Sequence, residues 1–312
     1  MRIKLSPEDA GARLDKVLCE RIPGLGRATV KRLFAEGKVQ VVTPSGKLRR
    51  AVKGDVGAEG IEVEVEVPST DTTAVPDPDT PLSVVLETDL VLVLDKPAGQ
   101  PTAPLAPGEK GALANALVAR YPELASIGFS PREPGLCHRL DTDTSGLVLA
   151  ARTKEAFVTL TTALREGRLD KRYLLLVQAA DLPSVGTIDI GLAPHPKDKR
   201  RVLACVHPRD VARNDPRPAV TTYQVLSERD GIALVEARAP RAMRHQIRAH
   251  FAAIDHPLLG DSLYGGPSVP GLTRHALHAH YLAWGGDAVV PALAVRLDLP
   301  ADLAAFVTTD EG

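Results

Sequence analysis

Cysteine is scarce. Cys19, Cys137 and Cys205 are odd in number and far apart, which excludes a disulfide framework and gives no zinc-knuckle spacing. Reduced, structural thiols are expected. Aromatic residues make up only 4% of the 312, so any aromatic stacking surface would rest on a few rings such as Tyr173, Phe129 or Tyr264. No apolar run approaches the roughly 18 residues of a membrane span, and the opening MRIKLSPEDAG lacks the apolar stretch of a signal peptide. No membrane association and a cytoplasmic location are therefore expected. Neither sign of charge dominates, the net charge being −1, and 44% hydrophobic with 25% charged residues excludes disorder and collagen-like chains. The length suits one large core plus a small satellite domain.

The near-zero sum hides a segregation of charge. Residues 1–53 carry 13 Lys/Arg against 5 Asp/Glu, whereas 54–89 carry 10 acidic residues and no Lys or Arg. A basic block of this kind suits a nucleic-acid arm, although a solvated helix face is its commoner meaning. Within it Leu14, Val17 and Leu18 recur at helical spacing, and a second periodic run from Thr29 to Phe34 ends at Gly37. This second helix carries Arg27, Lys31, Arg32 and Lys38 around apolar Val30, Leu33 and Phe34, and short strand-like runs follow at 39–42 and 61–67.

Residues 68–81, PSTDTTAVPDPDTP, have the composition of an extended Pro-rich linker. Beyond it, strand-like runs at 84–86, 90–94, 147–150, 173–177 and 232–237 alternate with helical segments at 112–120 and 154–166. The expected class is α+β: a domain over 82–304 on a large mixed or antiparallel sheet, with a small α+β domain over 1–67 before it and a tail over 305–312.

The densest set of reactive side chains is GLCHRLDTDTSGLVLAART, residues 135–153, a polar loop running into a buried strand. Asp141 lies between Arg139 and Asp143, and a carboxylate kept ionised by a guanidinium can act as nucleophile or base. The alternative is a turn Asp that caps Thr144 or Ser145. A kinase catalytic loop is excluded, because it needs Asp directly after His-Arg and an Asn five residues later, where Gly146 stands. A glycosidase pair of Asp141 with Asp143 is a weak rival, since two acids two residues apart do not readily span a glycosidic bond.

HRLDTDTSG closely resembles the HRLDxxTSG signature of the RluA-type RNA pseudouridine synthases. The strand with Lys-Pro-x-Gly at 84–102, KRYLLLV at 171–177, and HQIR with Gly-Asp-x-x-Tyr-Gly at 245–266 resemble that family's other motifs in order. RLDKVL, RATVKRLFAEGKVQV and Gly54-Asp55, within 12–67, resemble the alpha-L RNA-binding motif appended to several RNA-modifying enzymes. A departure at Val42-Thr43-Pro44, where an Asn-Gly turn is common, implies a longer hairpin. Together the resemblances span about residues 12–285.

They imply isomerisation of uridine already in RNA, with no cofactor and no metal. Asp141 would be the essential nucleophile, through a covalent adduct or an eliminated intermediate. Tyr173 would stack on uracil and shuttle a proton, and Arg248 would hold Asp141 ionised in a charge-assisted pair. Arg139 would fill the gap left by a flipped base, the alternative being a pair with a local carboxylate. Arg27, Lys31, Arg32, Lys38 and His245 are the expected RNA contacts. Large-subunit, 23S-type ribosomal RNA is the favoured partner of a monomer with no obligate protein partner. The rival is a non-catalytic RNA-binding or ribosome-assembly protein.

Arg241-Ala242-Met243-Arg244 departs from the family's Thr-Gly-Arg-Thr, and Ala242 would sit poorly in a left-handed conformation if one is needed there. His275, His278 and His280 read as strand residues and not as a zinc site, and His245 and His250 lack the Glu of a zinc-protease helix. The segment 195–218, with seven Lys/Arg against three Asp, reads as a basic loop, either solvated or facing RNA backbone.

Overall fold

The computed structural model describes residues 1–22, 27–43, 45–52, 54–66 and 73–307, and the chain divides into two units, Met1–Thr72 and Thr73–Gly312. The first unit holds β1 (Arg2–Lys4), α1 (Leu14–Arg21), α2 (Arg27–Glu36), β2 (Val39–Val42), β3 (Leu48–Arg50) and β4 (Glu62–Val65). The strands form an antiparallel sheet in the order β1-β4-β2-β3. Leu14, Val17 and Leu18 bury one stripe of α1, Val30 and Leu33 one stripe of α2, and both meet Val39, Val63 and Val65 of the sheet.

At the β2–β3 hairpin the Thr43 N–H donates to the Lys47 carbonyl at 2.8 Å, and Lys47 lies five residues after Val42, so the tip is longer than a two-residue turn. Pro44 of that tip and Lys53 lie outside the described residues. Part of the charge segregation cancels inside this unit, through Arg2–Glu64 and Arg49–Asp55 pairs of 3.0 Å each.

The second unit holds β5 (Ser83–Glu87), β6 (Val91–Lys96), α3 (Leu113–Arg120), β7 (Ser145–Ala151), α4 (Lys154–Glu166), β8 (Asp170–Gln178), β9 (Val185–Asp189) and the hairpin of β10 (Leu192–Pro194) and β11 (Val202–Ala204). It continues with α5 (Pro208–Asn214), β12 (Val220–Arg229), β13 (Ile232–Arg238), α6 (Gln246–Ala253), β14 (Leu277–Trp284), β15 (Leu293–Arg296) and α7 (Ala301–Ala304). Nine strands form one mixed sheet in the order β5-β6-β7-β14-β8-β13-β12-β9, with β15 beside β14. β7 and β14 run parallel; the other pairs are antiparallel. The fold is therefore α+β on a large mixed sheet.

Both faces of this sheet are covered at its centre, which is why β7, SGLVLAA, is buried at every position, whereas β5 and β12 nearer the edges keep exposed residues on alternate positions. Leu92, Leu94 and Val148 pack toward Leu113 and Leu117 of α3 and Phe251 of α6. Val91, Val93 and Leu149 pack on the opposite face toward Ala156, Leu160 and Ala163, the four-residue and three-residue spacing of one stripe of α4. Thr153 caps α4 by accepting from the Ala156 N–H, and Gly167 ends it at φ 76°.

The Pro-rich stretch differs from the extended linker expected over 68–81. Residues 68–72 lie outside the described residues, and 73–81 pack onto the second unit. The Ala74 N–H donates to the Pro131 carbonyl (2.9 Å), Asn115 of α3 donates to the Val75 carbonyl (2.7 Å), and buried Asp77 accepts from the Thr80 hydroxyl (2.6 Å). These partners satisfy the segment's polar groups, so it does not need solvent. Of the 305–312 tail, Phe306 and Val307 pack around Leu303, Leu176 and Leu259, while 308–312 lie outside the described residues. Among the described residues no helix is long and apolar enough to cross a membrane.

Candidate active site

The loop 138–144 ends where β7 begins, and two buried side chains, one at the end of β6 and one in the segment after it, fix it. Thr102 Oγ1 donates to the Leu140 carbonyl (2.7 Å) and accepts from the Leu140 N–H (3.2 Å). Lys96, wholly buried, donates from Nζ to the carbonyls of Pro97 (2.8 Å), Gln100 (2.7 Å) and Thr142 (2.8 Å). Both neighbours of Asp141 are thus anchored through their backbones. Burial pulls the Lys96 pKa down to about 7, against the opposing pull of the Asp143 and Asp141 charges.

The carboxylate so positioned meets α6. Arg248 donates from one terminal nitrogen, Nη1, to Asp141 Oδ2 at 2.8 Å, and grips Asp261 with Nε (2.6 Å) and Nη2 (2.8 Å). Burial opposes the charge on Arg248, but the two carboxylates outweigh it and its pKa rises. The Asp141 carboxylate does not cap the turn; only its backbone carbonyl does, accepting from the Thr144 N–H at 3.1 Å. The side chain keeps 23% of its surface exposed, against 1% for Asp261.

His245 stands just before α6 with φ 55°, a left-handed conformation that a non-glycine residue seldom takes. This is where the departure at 241–244 resolves. The strained backbone position is His245, and Ala242 is not among the residues with positive φ. No glycine is needed at 242. The Met243 N–H donates to Gln246 Oε1 (3.0 Å), and Arg244 donates to the carbonyls of Lys199 (3.1 Å) and Arg200 (2.5 Å), tying the β10–β11 hairpin to the start of α6. His245 Nε2 lies 3.6 Å from Asp141 Oδ2 and Nδ1 lies 3.0 Å from the Tyr264 hydroxyl. Burial lowers the His245 pKa, although the Asp141 charge opposes this.

Asp141, Tyr173, Arg248, His245 and Arg139 all line one cleft of about 1250 Å³. Tyr173 sits in β8, buried, and its pKa is raised by burial and by the Asp141 charge. Two strand positions earlier, on the same face, Lys171 also lines the cleft, its pKa pushed down to about 8 by burial. Arg139 takes the alternative arrangement: exposed, it pairs with Glu133 at 3.1 Å. Arg27, Lys31, Arg32 and Lys38 belong to the first unit, where Arg27 and Lys31 are exposed and Arg32 and Lys38 pair with Glu36 at 3.8 and 3.0 Å.

Each of the remaining buried histidines considered as metal ligands has a ring nitrogen on a neighbouring group, and Nε2 of His278 is left without a hydrogen-bond partner among the described residues. His275 contacts the Thr144 hydroxyl (2.8 Å), His278 the Ser145 hydroxyl (2.9 Å), His280 the Glu236 carboxylate (3.0 Å) and His250 the Thr221 hydroxyl (2.9 Å). Among the described residues no group of three or more His, Cys, Asp or Glu is arranged to hold a metal. The basic 195–218 segment forms part of the β10–β11 hairpin and α5, and its Arg200 lines the cleft. Sequence reasoning missed Asp261, Lys96 and Thr102. Asp261 lies inside the Gly-Asp-x-x-Tyr-Gly motif, but nothing in the spacing says which cation it holds.

Comparison with known proteins agrees with this architecture. Residues 90–253 match the family described as RNA pseudouridylate synthase. The chain is 36% identical over 286 residues to ribosomal large subunit pseudouridine synthase D of Xanthomonas campestris pv. campestris, covering 88% of this chain and 81% of that protein. It is 34% identical over 277 residues to an uncharacterized RNA pseudouridine synthase of Aquifex aeolicus, covering 86% and 82%. Human RNA pseudouridylate synthase domain containing 1 superposes with a TM-score of 0.55 at 26% identity, covering 72% of this chain and 85% of that one.

Proposed function

The chain belongs to the RNA pseudouridine synthase family, and we propose that it isomerises uridines of structured RNA through Asp141, with large-subunit ribosomal RNA as substrate. The observation that carries the role of Asp141 is its contact with Arg248. A guanidinium held by a second carboxylate gives Asp141 one bond at Oδ2, and Oδ1 has no hydrogen-bond partner among the described residues. A carboxylate oriented on one oxygen and open on the other suits attack on ribose, or assistance to the departing uracil.

In the reaction the bond from ribose C1′ to uracil N1 breaks and uracil turns. Carbon 5 then bonds to C1′ and loses its proton, and N1 ends protonated. Tyr173, whose raised pKa keeps it a neutral phenol, would stack on the turning ring and pass the proton. The uridine must first leave its stack, at a cost of a few kcal/mol. Arg139 would exchange Glu133 for the vacated position or for phosphate.

The basic side chains Arg27, Lys31, Arg32 and Lys38 of the first unit would contact RNA phosphates. The ribosomal substrate is carried over from the name of the Xanthomonas relative. A monomer working in the cytoplasm, with no obligate protein partner, completes the reading.

The test is tritium release from unmodified transcripts of ribosomal and transfer RNA labelled at uridine carbon 5. Wild type should release label from the large-subunit transcript, and Asp141→Asn should release none. Release only from transfer RNA would overturn the substrate, and full release by Asp141→Asn would overturn the nucleophile.

A further inference from the structure

Phe129 is the one exposed aromatic side chain among the described residues, with 65% of its surface open, and it lines the same cleft as Asp141. A single apolar residue at a surface is ordinary. Three features separate this one. Its ring is held edge-to-face by Phe157 of α4, centroids 4.9 Å apart, so it presents a fixed face. Its loop is rigid: the Gly135 N–H donates to the Ile127 carbonyl (2.7 Å) and the Glu133 N–H to the Ser130 carbonyl (2.9 Å). Gly128 has φ 139°, and a Cβ there would collide with the Glu133 carbonyl oxygen.

The third feature is charge. Arg132 and Arg139 line the cleft that this ring also lines, and Arg139 is tied into the same loop through Glu133. A cleft of about 1250 Å³ exceeds the roughly 300–1,000 Å³ of small-molecule sites, so one flipped nucleotide leaves room beside it. An open aromatic face in a cleft that guanidinium groups also line is the pairing that single-stranded nucleic acid requires, the face for a base and the cations for its phosphates.

We propose that Phe129 is a second base subsite, on which an unpaired nucleobase flanking the target uridine stacks. This rests on the RNA reading above, because the occupant is part of the same substrate strand. Stacking on Phe129 occurs before and after isomerisation alike, so it contributes to binding and not to the chemical step.

The test uses the full chain with octauridylate and an abasic octamer carrying the same phosphates. In Phe129→Trp the new indole should be quenched by octauridylate and not by the abasic strand. The emission of buried Trp284 in wild type should respond to neither. Phe129→Ala and Phe129→Leu should each weaken octauridylate binding roughly tenfold, while Phe129→Trp retains it. With a tritiated transcript the Ala and Leu variants should raise KM and leave kcat within about twofold. Equal quenching by both strands, or unchanged affinity in Phe129→Ala, overturns the subsite. Full recovery in Phe129→Leu also overturns it, by reducing the residue to packing. Absence of tritium release by wild type, with the Phe129→Trp protein still quenched by the base-bearing strand alone, would sink the synthase reading while the subsite stands.

Discussion

Asp261 holds Arg248 with two bonds, 2.6 and 2.8 Å long, and so leaves it one terminal nitrogen for Asp141. Without Asp261 the guanidinium fork would be free to take Asp141 bidentately and occupy both carboxylate oxygens. The buried acid therefore does two things for the half-buried one. It fixes the direction from which the cation approaches, and it offsets a full positive charge that would otherwise fall on Asp141 alone.

Asp261→Asn should separate these effects. Removing one partner of a buried ion pair costs about 3–5 kcal/mol, and part of that should appear as a lower urea midpoint. In protein that remains folded, kcat should fall about tenfold to a hundredfold with little change in RNA affinity, because the charge lost lies behind the site. Arg248→Lys should not rescue activity, since an ammonium cannot reproduce the fork. A kcat within twofold of wild type for folded Asp261→Asn would remove Asp261 from the positioning of the site.

Lys96 makes stability depend on pH. Its folded pKa is about 7 against an ordinary 10.5, with burial as the main cause. Between these values the unfolded chain holds the proton more tightly, so the Lys96 contribution to stability should rise as pH increases from about 7 toward 10.5 and be flat below 7. The three carbonyls around Nζ favour the ammonium form and limit the gain, which should amount to no more than a few kcal/mol. Urea unfolding at pH 6.5, 8 and 9.5 should show this slope in wild type and a shallower one in Lys96→Met, where Lys171, with a folded pKa of about 8, still contributes above pH 8. Equal slopes in the two proteins would exclude Lys96 as its source.

The meeting of Asp141 with Arg248 was legible despite 107 residues between them, because the residues sit in long motifs whose order resembles a family. The strands were legible where both faces are buried, as in β7, and α4 where a capping Thr and a terminal Gly bracket one apolar stripe. What escaped were the partners of buried polar groups. Asp77 in the Pro-rich stretch accepts from the Gly111 N–H, 34 residues away, and no local pattern separates such a packed extended segment from a solvated one. The left-handed position fell at His245 and not Ala242 for a related reason: it depends on where α6 starts, which Gln246 sets by reaching back to Met243.

Gly146 is the second residue of β7 and lies in its parallel pairing with β14. It has φ 111°, and a Cβ there would run into the Ala279 carbonyl oxygen. Neither backbone can retreat without breaking the sheet on either side. Gly146→Ala should therefore destabilise by more than about 3 kcal/mol, whereas Gly231→Ala, at φ 75° with open space around it, should cost only about 1 kcal/mol of backbone strain. Thermal unfolding of the two variants checks the contrast, and equal shifts would mean that φ alone decides the cost.

Arg139 and Glu133 form a pair of one exposed and one half-buried side chain, 60% and 12% exposed, and both line the cleft. Such a pair adds little to stability, so Glu133→Gln should shift unfolding by less than about 1 kcal/mol. Its effect should fall on the substrate. If RNA must draw Arg139 away from Glu133 before the guanidinium can fill the vacated stack, neutralising Glu133 removes that competition, and KM should drop about twofold to fivefold with kcat unchanged. Arg139→Ala should raise KM and abolish the effect of Glu133→Gln when the two are combined. An additive double variant would mean that Glu133 acts on the Phe129 loop through Ser130 and not through Arg139.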